Sequence, residues 1–203
     1  MKVGRWRAAL VVSALAALVA GCSSGATQAT PPSTSPSALL GNVGLSTELH
    51  AALAALAKNP ADKRALLAAA MSYQRAGMAN AGMGAPLPQQ KIDVTKALDY
   101  YRRLLALPDS QLGSHASSYR ESVLQSEAVI YVFLRDFKQA ASTDKRALKI
   151  QPQNYDLYIQ IATNDQQAGD SAGAAKAFKT FLKDDPHSPY AAQVKAALAK
   201  LKG

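Results

Sequence analysis

From Ser46 onward the apolar residues of this chain recur every three or four positions and never alternate strictly. That spacing predicts helices with one stripe turned to a core, and it gives no strand signal. Amphipathic segments are expected at 46–58, 60–77, 93–107, 118–134, 137–150, 155–168, 171–184 and 189–202. Asn59-Pro60 and Ser188-Pro189 each put a capping side chain ahead of a proline at the first helical position. Ser118 with Glu121 fits a capping box. Arg135-Asp136 and Gly169-Asp170 interrupt the pattern where short turns are expected. The fold class read from this pattern is all-α.

Two helix pairs repeat at a fixed offset. Leu124 and Tyr158, Ala128 and Ala162, Ala140 and Ala174, Ala147 and Phe181, and Pro152 and Pro186 are each 34 residues apart. The geometric reason for such a pattern is that a small residue on each helix lets the pair approach closely. Larger neighbours such as Tyr131, Phe137 and Phe178 fill the gaps, and the proline ends the second helix. On these residues the chain resembles the tetratricopeptide repeat family, whose unit is a helix–turn–helix of this period. Asp144 and Asp165 depart from it, since the family pattern usually has an aromatic there. An interrupted earlier copy follows Pro60, with Leu66, Ala70, Tyr73 and Gly77 on its first helix. Its second helix resumes at Lys96-Ala97, with Tyr101, Leu104 and Pro108. Repeats are thus expected at about 60–108, with an inserted loop at 78–91, and at 121–154 and 155–188. A capping helix is expected at 189–202, in a helical domain spanning 46–203.

The resemblance implies a superhelix whose concave face is lined by the first helix of each repeat and holds an extended peptide or a helix. Carried onto this chain, that face comprises Arg64, Leu67, Met71, Gln74 and Arg75 in the first repeat. The second supplies Ser122, Gln125, Val129, Val132 and Phe133, and the third Asp156, Ile159, Thr163, Gln166 and Gln167. These are amides and apolar side chains with two arginines, without the lysine and asparagine set with which some relatives clamp a C-terminal carboxylate. The competing expectation is that about half of them pack against neighbouring helices, Val129 and Ile159 foremost. The inserted loop is a second candidate contact site, through Met78 and Met83, or else a plain excursion of the chain.

The N-terminal residues carry different information. Met1 to Arg7 is short and basic, and Ala8 to Ala20 is uncharged and mostly apolar. The pair reads as a secretory signal, too short for a comfortable transmembrane helix. It ends in Val19-Ala20-Gly21-Cys22, which resembles a bacterial lipobox. The resemblance implies cleavage after residue 21 and lipidation of Cys22, with acyl chains such as palmitate anchoring the exported chain. Ser23, in place of Asp, points by the same resemblance to the outer membrane, facing the periplasm, if the bacterium has two membranes. Ser23 to Ser37 contains three prolines, no charge and no large apolar side chain. The expected tether, 22–45, would span roughly 20 Å in its first 15 residues as a coil and about 45 Å extended.

Composition narrows the function classes. Alanine makes up much of the 48% apolar content, as suits helices. The formal charge is +9, but Lys2, Arg5 and Arg7 precede Cys22, which leaves +6 beyond them, spread among acids. With the single tryptophan at position 6 and no focused basic stripe, nucleic acid is not an expected partner. His50, His115 and His187 share no ligand spacing, and the one cysteine is assigned to lipid. No serine elbow or glycine-rich phosphate loop is present, and Asp184-Asp185 reads as a turn feature. The expectation is therefore no enzyme, no cofactor, no metal and no small-molecule substrate. A membrane-anchored adaptor binding another envelope protein or peptide in the groove is expected. The alternative is an assembly or pilot subunit of an envelope machine for outer-membrane proteins, secretins or pili, recognisable by a large apolar interface outside the groove.

Overall fold

A computed structural model of the chain describes residues 36–79 and 84–201, with side chains from residue 47. Among the described residues there are helices and connections but no strand. The helices are α1 (Pro36–Lys58), α2 (Lys63–Met78), α3 (Pro88–Leu105), a single turn α4 (Asp109–Leu112), α5 (Ala116–Phe133), α6 (Phe137–Ile150), α7 (Asp156–Gln167), α8 (Ser171–Asp184) and α9 (Ala191–Lys200). Packing is consecutive: α1 on α2, α2 on α3, α3 on α5, and so on to α8 on α9. Helix pairs laid one after another in this way form an all-α repeat array of the expected kind.

The second and third hairpins repeat in detail. Asp136 and Asp170 cap α6 and α8, accepting from Gln139 N at 3.1 Å and from Gly173 N at 2.8 Å. Before each cap stands one residue in the left-handed region, Arg135 with φ 60° and Gly169 with φ 82°. At the other end, the N–H of Gln151 closes on Ala147 O and that of Asp185 on Phe181 O. Ala128, Ala140, Ala162 and Ala174 are all buried, as close helix approach requires.

Sequence expectations fail mainly at helix ends. Helix α1 begins at Pro36, not Ser46, so the last part of the expected 22–45 tether is helical. Asn59 does not cap α2. Its Oδ1 accepts from Ala61 N at 3.1 Å within the turn, and Asp62 caps the helix from Ala65 N at 2.9 Å. Likewise Ser188 accepts weakly from Tyr190 N, and α9 starts at Ala191. Ser118 lies inside α5, so no capping box forms there, and Glu121 turns instead to Gln125 and to Asn154 Nδ2 at 2.8 Å.

The loop expected at 78–91 is shorter, because Pro88 opens α3 at its first position. Gln90 ties its base: Oε1 accepts from Leu87 N at 2.9 Å and Nε2 donates to Ala79 O at 3.0 Å. Gly77, aligned by sequence with the turn residue Gly169, is instead buried within α2. A Cβ there would stand 2.7 Å from Val94 Cγ1 and 2.9 Å from both Gln90 O and Val94 N. The glycine is what allows α3 to lie so close to α2.

The apolar core is divided. One cluster joins α1, α2, α3 and α5 through Leu56, Leu66, Val94, Tyr101, Leu104 and Ile130. Another joins α7, α8 and α9 through Ile161, Phe178, Phe181 and Val194. A third, smaller cluster of Leu124, Ala147 and Leu157 packs against Leu105, which also borders the first, and Leu148, which also borders the second. The connection from α3 to α5 is held by Arg120, whose guanidinium donates to Leu105 O, to Leu107 O at 2.6 Å and to Asp109 Oδ1 at 2.8 Å.

Candidate functional site

Helices α2, α5 and α7 each carry a stripe of residues three and four apart along their length, so the positions of one helix share a face. None of the side chains named for the binding face is buried. On α2, Arg64, Met71 and Arg75 are exposed, and Leu67 and Gln74 are half-buried. Gln74 Oε1 accepts from Tyr101 OH at 2.6 Å, so this amide is committed to the core edge. Arg75 lies 3.7 Å from Glu48, with both side chains about half in water, a pair that contributes little.

On α5, Val129 and Val132 are exposed at 48% and 41%. Val129 therefore does not pack into a neighbouring helix, contrary to the competing sequence expectation. Residue spacing cannot tell an apolar side chain facing core from one facing a groove. Ser122 donates from Oγ to Ser118 O, Gln125 from Nε2 to the buried Glu121, and Phe133 leans on the first apolar cluster. On α7, Ile159 does pack, against the cluster of α7, α8 and α9, and Thr163 donates to Ile159 O at 2.9 Å. Asp156, Gln166 and Gln167 are exposed. Burial, and then Asp185, raises the Asp156 carboxyl above its ordinary value. The side chains open to a partner are thus Arg64, Met71, Arg75, Val129, Val132, Asp156, Gln166 and Gln167.

Cys22 and Met83 lie outside the described residues. His50 and His187 are exposed on α1 and before α9, and His115 precedes α5. Among the described residues no three His, Cys, Asp or Glu side chains gather as metal ligands. No helix among them is long and apolar enough to cross a membrane.

Periodicity missed one polar cluster. Asp144 of α6 is fully buried, accepting from Asn164 Nδ2 of α7 at 2.9 Å. Beside it Asp165 receives Lys145 Nζ at 2.9 and 3.0 Å. Glu127 of α5, 1% exposed, lies 3.6 Å from Arg146, and burial raises its carboxyl despite Arg146 and Arg102. The signal for the first of these was present, because Asp144 and Asp165 stand where the repeat pattern calls for aromatics. Their direct neighbours across α6 and α7 were not legible. Asp144 and Glu127 are enclosed, each with one carboxylate oxygen that has no partner, while Lys145 and Arg146 stand about half in water, so the cluster bears on stability.

No protein-family model matches this chain, and no curated protein matches it either. The site rests on its own geometry.

Proposed function

We propose that this chain is a membrane-tethered interaction module on the exported side of a bacterial envelope, binding a peptide or helix of another envelope protein along the faces of α2, α5 and α7. One observation carries the reading. Of the five exposed large apolar side chains among the described residues, three (Met71, Val129 and Val132) lie on that stripe. These side chains are already about half buried, so covering the remainder against a partner contributes about 1 kcal/mol each before the cost of association. Gln166 and Gln167 border them on α7 and offer both donors and acceptors to a peptide backbone. The resemblance to the tetratricopeptide repeat, whose first helices line the binding face, supports the same surface. The tether rests on Val19-Ala20-Gly21-Cys22 and its likeness to a lipobox.

An assembly subunit would need a broad apolar face elsewhere. Away from this stripe the exposed large apolar side chains among the described residues are Leu87 and Ile92 alone, which favours reversible binding through the stripe. The test is photo-crosslinking in native membranes, with the probe at Gln125 or Gln166 and, for comparison, at Gln139 on α6. A partner captured from the first two positions and not from Gln139 supports the groove. Equal capture from all three points to the assembly subunit, and capture from none overturns the groove.

A further inference from the structure

The two remaining exposed apolar residues belong together. Leu87 is 65% exposed at the entry to α3, and Ile92 is 50% exposed one turn into it. Ala85 and Pro88 beside them are exposed as well. The sequence from Ala76 to Gln90 holds no charged residue, so nothing in it resists leaving water as an ionised group would. Charge begins at Lys91 and continues at Lys96, both exposed, on either side of Ile92 around the helix. Lys96 Nζ rests 5.0 Å from the Tyr73 ring centre, a cation–π contact that holds the ammonium at the edge of α2. The nearby acid, Asp93, accepts from the neutral Gln89 amide at 3.1 and 3.2 Å, which cancels no charge, so residues 91–96 carry a net +1 from two lysines and one aspartate. The two hydrogen bonds of Gln90 fix the base from which Leu87 projects.

We propose that Leu87 and Ile92, flanked by Lys91 and Lys96, form an insertion point for the surface of an anionic lipid bilayer. The occupant follows from the chemistry of the patch. One branched apolar side chain at the end of an uncharged stretch and a second one turn into α3 suit the boundary between headgroups and acyl chains, and the two flanking ammonium groups meet lipid phosphates. A protein partner would require a wider apolar face than these two residues supply. Each lysine held near an anionic surface strengthens binding about fivefold, and salt weakens that share. The contact is separate from the stripe on α2, α5 and α7, so neither depends on the other.

The test uses the full chain with Cys22→Ser and a polarity-sensitive fluorophore on Ala85→Cys or, as reference, on Gln139→Cys. Vesicles are phosphatidylcholine alone or with about one third phosphatidylglycerol. The N-terminal segment is the same in every sample, so the difference between the two labels reports the loop. The expected result is a blue shift, and quenching by a lipid-borne quencher, at position 85 with anionic vesicles only. The label at 139 stays in water. Leu87→Asp with Ile92→Asp abolishes the shift while the circular dichroism of the chain is unchanged. Lys91→Gln with Lys96→Gln raises the lipid concentration needed by more than tenfold. A label at 85 that stays in water overturns the proposal. So does a shift that is equal at 139, equal in neutral vesicles, or unaltered by the paired Asp substitutions.

Discussion

Asn164 donates from Nδ2 to Asp144 Oδ2 at 2.9 Å, and both side chains are buried between α6 and α7. The second oxygen of Asp144 has no partner. Burial pushes this carboxyl from 3.8 up to about 7; the Asn164 hydrogen bond and Lys145 oppose the shift, and Asp165 adds to it. Glu127, on the facing helix α5 with Arg146 beside it, is raised in the same direction by burial. A carboxyl that holds its proton more tightly folded than unfolded stabilises the fold below its unfolded pKa. That stability is lost as pH rises through the folded value. The Tm is therefore expected to fall between about pH 4 and about pH 8. Asp144→Asn, which needs no ionisation, is expected to flatten that slope and gain roughly 1–3 kcal/mol at the alkaline end. Calorimetry across the range checks it, and a Tm that climbs with pH contradicts it.

The caps at Asp136 and Asp170 are chemically the same device one repeat apart. Asp136→Ala and Asp170→Ala are each expected to cost about 1 kcal/mol, and the pair to cost the sum, since the two sites share no partner. Denaturant titration of both single variants and the double variant decides it. A marked difference between the two would mean that the repeats differ in a way their caps do not show.

Gly77 and Gly84 form a matched contrast. A Cβ at Gly77 meets backbone atoms of α3 at 2.9 Å, whereas one at Gly84 meets nothing within 4 Å. Gly77→Ala is expected to cost about 1–3 kcal/mol by forcing α2 and α3 apart. Gly84→Ala should change stability by no more than about 0.5 kcal/mol. Urea midpoints of the two variants measure the difference.

Val129→Gln with Val132→Gln tests the binding face without touching the core, since both side chains already stand in water. Stability is expected to stay within about 0.5 kcal/mol of the parent. Crosslinking from Gln166 to a captured partner is expected to drop at least tenfold, which corresponds to about 1.4 kcal/mol. Undiminished crosslinking would take these two residues out of the site.

Some of this architecture can be read before any coordinates. The four alanines at 128, 140, 162 and 174 specify close helix pairs, and α6 and α8 run over the residues expected of them, 137–150 and 171–184. Helix starts were harder because several residues compete to cap the same turn. Asn59 and Asp62 are three apart, both able to accept, and only the chain path decides that Asp62 takes the helix. Proline misled in one place and helped in another: Pro60 stays in a turn, whereas Pro88 opens α3 and shortens the loop. In the site, periodicity placed Val129 and Ile159 on the same face of successive repeats and could not separate them. The difference comes from what lies opposite, an apolar cluster at Ile159 and water at Val129.

Consecutive packing also sets how the chain comes together. Each helix is settled chiefly by the one before it and the one after it, so the loops closed on the way are short and little entropy is spent bringing distant segments together. Early helices can find their partners while later ones are still being synthesised, and assembly resembles a zipper more than a collapse. Helix α9 leans mainly on α8. Among the longer described helices it is the most lightly held, and it is expected to lift away first when the molecule frays.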